Sequence, residues 1–286
     1  MNLVSKIILG TVQFGIPYGI NNSSGMPADE EIQKIFYTAQ KNGIGYLDTA
    51  SAYGVAEERV GKFSNGQFKI ISKFSKLKEN ESVSDLLHQS LQKLQAATIY
   101  GYMAHSADEL IEKKQLWDDL QTEKQKGLAK KIGYSIYTPA QLDKLLDMGF
   151  APDIIQLPYS LLDRKFEPYF SELKSKGTEI HIRSVFLQGL YFMDTHKLPK
   201  KLEPLRSSLQ EMHHACNAEG VETVGLALNF AIENPLIDFV VIGVDTSAQL
   251  EKNIFMVNDW KANHALINRI KEINISDEKL LNPANW

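Results

Sequence analysis

Several features that would fix the class of this chain outright are missing from it. Among its 286 residues there is one cysteine, Cys216, so no disulfide can close within the chain. It stands among His213, His214 and Asn217 without metal-ligand spacing, so no bound metal is expected, and a reducing, cytoplasmic setting is. No apolar run approaches the roughly 20 residues that span a bilayer. The apolar part of the opening MNLVSKIILGTVQFG is too short for a signal segment with a cleavage site. Nor is there a basic surplus: Lys and Arg number 31 against 35 Asp and Glu, a net charge of −4, and the cations are scattered. Nucleic acid and anionic membranes are thereby excluded as expected partners. No Pro, Gly or Ser tract and no block of like charge marks a linker or tail, so residues 1–286 are expected to form a single domain, and a monomer.

What is present is a repeated alternation. Hydrophobic residues make up 43% of the chain, enough for a large core. Short β-rich runs at 7–10, 46–49, 68–73, 99–105, 131–136, 154–157, 179–185 and 239–243 are mostly continuously apolar, as parallel strands covered on both faces are. Helical periodicity with start and stop signals occupies 29–42, 82–95, 116–126, 139–148, 166–176, 202–218, 223–233 and 247–257. Eight strand–helix units with right-handed crossovers predict an α/β fold closed as a (βα)8 TIM barrel, which commonly needs about 250 residues. A further helix and tail, 265–286, follow the eighth unit, with Trp286 expected to pack on the barrel.

Reactive groups in such a barrel sit at the carboxyl ends of strands and in the loops after them. Asp48 closes the second predicted strand and Tyr53 follows in its loop. Lys73 closes the third strand and His105 the fourth. Taken singly, each has a structural explanation as a cap, a gap filler or a solvated charge. Together, three adjacent strands bring all four to one mouth. A phenol near pKa 10 needs a neighbouring cation if it is to release its proton at neutral pH. Lys73 can supply that charge, Asp48 can hold Lys73, and His105 can orient a carbonyl oxygen. Polarising a carbonyl in this way makes sense if a hydride arrives at its carbon, which calls for a nicotinamide cofactor.

With these residues in view, the chain resembles the aldo-keto reductases, in what looks like a bacterial branch. The resemblance runs through Leu9-Gly10-Thr11, Gln13-Phe14-Gly15, Leu47-Asp48-Thr49-Ala50, Tyr53-Gly54, Glu57 and Ile71-Ser72-Lys73. It continues through Ala104-His105-Ser106, Ile132-Gly133-Tyr134-Ser135, Ile155-Gln156, Val241-Ile242-Gly243 and Gln249-Leu250-Glu251-Lys252-Asn253. It implies a tetrad of Tyr53 as general acid with Asp48, Lys73 and His105. It also implies an extended dinucleotide across the mouth, without a Gly-x-Gly-x-x-Gly turn. The implied cofactor contacts are Gly10, Thr11, Val12, Ser135, Gln156, Arg183, Ser184, Val185, Leu187, Ile242, Gly243, Gln249 and Asn253. The implied partner is a small-molecule carbonyl, reduced to an alcohol. Gln13-Phe14-Gly15 with Tyr18-Gly19-Ile20-Asn21 is similar to a branch tied to surface-sugar metabolism, which implies sugar-like carbonyls. Tyr18, Phe186 and Tyr191 suggest an aromatic wall.

The chain departs from the family pattern at three places. Ile136 stands where an asparagine usually shares the carboxamide with the serine. Arg183 stands where an aromatic ring commonly stacks on the nicotinamide; its guanidinium could stack there too, disfavouring the oxidised cation, or could face substrate or a nearby acid. His181, two residues earlier on the same strand face, is an equal candidate to enter the mouth. Gly243 and Gln249 stand where a lysine or arginine often receives an adenosine 2′-phosphate, and Asp245 would oppose one. NADP(H) is placed narrowly ahead of NAD(H), because the family leans that way. Two other classes stay open on sequence alone: a cofactor-sensing or scaffold protein with little turnover, and a lyase using Lys73 as a Schiff-base nucleophile.

Overall fold

The computed structural model describes residues 2–20, 22, 25–275 and 277–286. Eight strands are present among them: β1 (Ile7–Gly10), β2 (Tyr46–Asp48), β3 (Lys69–Phe74), β4 (Ile99–Ala104), β5 (Ala129–Ser135), β6 (Ile154–Pro158), β7 (Glu179–Arg183) and β8 (Phe239–Gly243). They pair in parallel in chain order, and β1 pairs with β8 to close the barrel, Gly10 facing Gly243. The eight predicted strands are all found, with ends displaced by a residue or two. Strand β5 starts two residues early, at Ala129, and β7, expected to reach residue 185, ends at Arg183, because Ser184 turns into the left-handed region at φ 64°.

The helices are α1 (Val12–Gly15), α2 (Asp29–Lys41), α3 (Ala56–Phe63), α4 (Val83–Lys93), α5 (Ala107–Glu112), α6 (Gln115–Gln125), α7 (Pro139–Asp147), α8 (Phe170–Ser175), α9 (Arg206–Ala218), α10 (Thr223–Ile232), α11 (Ser247–Asn258) and α12 (His264–Lys271). Local chemistry sets their starts. Ser82 and Thr138 close reciprocal capping boxes with Asp85 and Gln141, and Pro139 opens α7. The stretch 202–218 is not one helix: its first part is a 3-10 segment, Lys200–Leu205, containing Pro204, which has no backbone N–H to continue an α-helical ladder.

The sequence reading contains no helix between β2 and β3, where α3 lies. Gly61 weakens the helical signal there by about 1 kcal/mol relative to alanine. It is nonetheless required, since a Cβ at 61 would fall 2.2 Å from the carbonyl oxygen of Lys93 at the end of α4. The C-terminal segment ends in 3-10 turns, and Trp286 packs against the core while its indole N–H donates to the Leu280 carbonyl at 2.8 Å.

Strand alternation sorts the core into two parts. Outward residues such as Leu9, Leu47, Ile70, Tyr102, Ile132, Ile155, Ile182 and Val240 join the large cluster between sheet and helices. Inward residues Ile8, Ile71, Met103 and Ile154 form a separate inner layer, bordered by Tyr46, Tyr100, Phe239 and Val241. Toward the amino ends of the strands the barrel is closed by charge and aromatics. Glu179 there meets Lys131, accepts from the Tyr100 hydroxyl at 2.7 Å, and lies 3.3 Å from His181 Nε2. His181 is fully buried in this lower layer against Phe239, so of the pair on β7 it is Arg183 that reaches the mouth.

Candidate active site

One step above the inner layer, period-two alternation puts a single inward residue at the carboxyl end of each strand: Gly10, Asp48, Lys73, His105, Ser135, Gln156, Arg183 and Gly243. All are polar or lack a side chain, whereas the layer beneath is largely apolar. That change of character marks where the core stops and the mouth begins. Thr11 and Val12, the first residue of α1, follow β1; Ser184, Val185 and Leu187 follow β7; and Ile242 on the outward face of β8 is buried.

The best-fixed part of the mouth is an ion pair. Lys73 Nζ lies 2.6 Å from Asp48 Oδ1, with side chains 1% and 5% exposed, and donates also to the Thr49 carbonyl at 3.0 Å. The second Asp48 oxygen accepts from Gln156 Nε2 at 2.8 Å, and the Asp48 carbonyl accepts from the Thr11 hydroxyl at 3.1 Å. Such a pair is worth its desolvation only when further hydrogen bonds support it, and here Thr49 accepts from Lys73 while Gln156 donates to Asp48. Gln156, an implied cofactor contact, thus has an amide N–H engaged by Asp48.

Tyr53 sits over this pair. Lys73 Nζ is 5.4 Å from the centroid of the tyrosine ring, and the His105 ring meets it edge-on with centroids 5.5 Å apart. Burial, reinforced by the Asp48 charge and opposed by Arg183, pushes the Tyr53 phenol far above its ordinary range, so it holds its proton at neutral pH. Burial and the Lys73 charge push His105 down to about 4, so its ring is neutral there.

The loop bearing Tyr53 is pinned from both sides. Ser51 N donates to the Lys73 carbonyl at 3.0 Å, and the hydroxyls of Ser51 and Ser75 meet at 3.0 Å. Gly54, at φ 55°, lies against Gly15. A Cβ on Gly54 would fall 2.3 Å from the Gly15 carbonyl oxygen, and one on Gly15 would fall 1.6 Å from that of Tyr53. The buried Glu57 accepts from the Ser72 hydroxyl at 2.6 Å and ties α3 to β3. The family-like spelling Gln13-Phe14-Gly15 with Tyr53-Gly54 and Glu57 therefore has a local cause: two loops can touch only where neither carries a side chain.

On the opposite side of the mouth Arg183 stacks over the Tyr137 ring at 4.0 Å and donates to the Ile136 carbonyl at 2.9 Å. Tyr18 accepts from Gln188 Nε2 at 2.7 Å, joining the loops after β1 and β7. Neither Tyr137 nor Gln188 is singled out in the sequence reading. Tyr137 shares strand parity with Ser135, which could have found it; Gln188 carries no such signal. Tyr191 is not part of an aromatic wall, because it is buried with its hydroxyl donating to Ser160 at 2.8 Å. Phe186 pairs instead with Phe192. At the far end, Gln249 folds back to accept from Asp245 N at 2.7 Å, and Asn253 is buried one turn later on α11. The groups meeting at the mouth are therefore Tyr53, Asp48, Lys73, His105, Gln156 and Arg183, whereas Gln249 and Asn253 lie on the helix after β8.

A closed (βα)8 barrel whose polar groups converge at its carboxyl mouth is the architecture of an enzyme of that fold. The sequence matches the Aldo/keto reductase family over residues 6–275, and the chain belongs to that family. It is 26% identical to an uncharacterized oxidoreductase, YrpG, of Bacillus subtilis (strain 168), over 88% of this chain and 86% of that one. It is 24% identical to L-galactose dehydrogenase of Arabidopsis thaliana, covering 83% and 81%. In fold it is similar to aldo-keto reductase AKR11C1 from Bacillus halodurans in its holo form, with a TM-score of 0.74 and 20% identity over 95% and 93% of the two chains. The chain is thus an oxidoreductase of a family that uses nicotinamide dinucleotides on carbonyl compounds.

Proposed function

We propose that the chain reduces an aldehyde or ketone to an alcohol with a reduced nicotinamide dinucleotide, Tyr53 delivering the proton. The observation that carries this reading is the position of a protonated phenol over a buried lysine–aspartate pair held by further hydrogen bonds to Thr49 and Gln156. The Tyr53 hydroxyl donates to no side chain or carbonyl among the described residues, so its proton is available to a ligand in the mouth.

The mouth fits the cofactor that the family implies. Gly10 and Gly243 face each other in register, so neither strand adds a side chain of its own there. The Gln13 amide lies against Gly243, where a Cβ would come within 2.3 Å of it, and Gln13 Oε1 is buried without a partner. A floor made by two glycines and an unused amide acceptor suits a flat ring bearing amide donors. Gly10, Thr11, Val12, Ser135 and the loop 184–187 would hold the nicotinamide end, and Gly243, Gln249 and Asn253 the adenosine end. When bound, the reduced nicotinamide supplies a hydride to the carbonyl carbon. As the C=O bond becomes a single bond, Tyr53 gives its proton to the oxygen, leaving a phenolate that Lys73 and Arg183 stabilise. Neutral His105 acts as a donor that orients the same oxygen. Two of the three Lys73 N–H groups are already committed to Asp48 and Thr49, which favours this role over attack on a carbonyl.

Reduced dinucleotide consumed in step with alcohol formed, across a panel of aldehydes, ketones and sugars, is the expected outcome. Consumption with none of them would overturn the reading and leave the binding-protein class.

A further inference from the structure

Arg183 is the cation at the mouth without a counter-charge. Lys73 is paired with Asp48, and elsewhere Arg59 and Arg206 have Asp29 and Glu203. Arg183 makes no ion pair among the described residues. Its hydrogen bonds go to two neutral acceptors, the Ile136 carbonyl at 2.9 Å from Nη2 and the Ser184 hydroxyl at 3.4 Å from Nη1. A guanidinium carries five N–H donors. Those not used by these two acceptors have no protein partner among the described residues.

The group is nevertheless held in place. Tyr137 covers one face of the guanidinium at 4.0 Å, and the loop that follows it is fixed in uncommon geometry, with positive φ at Ser184, Leu187 and Gln188. Three non-glycine departures of this kind within five residues are costly and persist where the surroundings over-determine them. Gln188 is further held by its bond to the Tyr18 hydroxyl. The charge also reaches the reacting groups, since Tyr18, Tyr53 and His105 all feel Arg183. A planar fork, unpaired, rigid and next to the proton donor is the form that oxyanion recognition takes.

We propose that Arg183, backed by Tyr137, is an anion-recognition residue of the substrate site, and that the carbonyl substrate carries a carboxylate or phosphate group. This rests on the reductase reading above and specifies its substrate class. The contact would orient the carbonyl toward Tyr53 by anchoring the substrate at a second point, as a bidentate arginine clamp does.

The test uses matched pairs that differ in charge: succinic semialdehyde with butanal, and glyceraldehyde phosphate with glyceraldehyde. It is run on the full chain and on Arg183→Met and Arg183→Lys. Calorimetric binding of succinate and of inorganic phosphate to the dinucleotide-loaded protein runs in parallel, so that the result does not depend on turnover. The wild type is expected to favour the charged member of one pair roughly tenfold or more, chiefly through KM, and to bind the corresponding free anion. Arg183→Met should erase both, and Arg183→Lys should restore part. The pair that responds distinguishes carboxylate from phosphate. Absence of anion binding in the wild type, or a preference unchanged in Arg183→Met, overturns the proposal. So does a variant in which only the ratio of affinities for oxidised and reduced dinucleotide changes, which would assign Arg183 to the cofactor. If neither NADPH nor NADH binds, the reductase reading itself is overturned, and the proposal with it.

Discussion

Lys73 Nζ and Asp48 Oδ1 are 2.6 Å apart, and both side chains are almost entirely out of solvent. Removing one partner leaves the other as an uncompensated buried charge, the costliest way to alter such a pair. Asp48→Asn and Lys73→Met are each expected to lower unfolding free energy by about 3 kcal/mol, and the double variant by clearly less than their sum. Denaturant titration of the four proteins checks this. Additive losses would mean that the two groups do not act as a pair.

Gly15 and Gly54 make a different kind of prediction, since they act on Tyr53 without touching a ligand. In Gly15→Ala the new methyl would start 1.6 Å from the Tyr53 carbonyl oxygen and 2.6 Å from Ala56 N, so the loop must move. A displacement on that scale is expected to lower kcat/KM roughly 100-fold. Gly45→Ala, whose Cβ would meet nothing within 4 Å, serves as the control and should keep wild-type kcat/KM. Equal activity in the two variants would show that the contact does not position Tyr53.

His105 sets an acid limit on stability. Its folded pKa is down at about 4, through burial first and Lys73 second, against an ordinary value of 6.5. The unfolded chain therefore takes up a proton at this site well before the native state does. The contribution of the neutral ring is complete above about pH 6.5 and declines as pH falls from there toward about 4. His105→Gln removes this titration, so the stability difference between wild type and variant should change between about pH 7 and about pH 5. Unfolding titrations at a series of pH values measure it. A difference that stays constant over that range would contradict the assignment.

Much of the barrel is legible in the sequence because parallel strands buried on both faces read as apolar runs, and several of the runs here stop at or beside a polar or glycine residue. The same stop picks out Asp48, Lys73 and His105. What stays hidden is of two kinds. Helix α3 is obscured by Gly61, whose justification is a contact with residue 93 that no local window contains. The orientation of Arg183 is hidden for a similar reason: its direction is decided by Tyr137 and the Ile136 carbonyl, brought beside it by barrel closure and not by sequence spacing. Likewise Gln156 meets Asp48 across 108 positions. Long-range partners fix what a polar residue does, while local pattern shows only that it is inward and at a strand end.

The most direct test of proton delivery is Tyr53→Phe, a change that removes one oxygen and retains the ring against His105 and Lys73. With a carbonyl substrate accepted by the wild type, loss of reduced-dinucleotide absorbance is expected to slow by roughly 100-fold or more. Dinucleotide affinity and thermal midpoint should stay near wild type. Turnover at the wild-type rate in Tyr53→Phe would contradict the account at its centre.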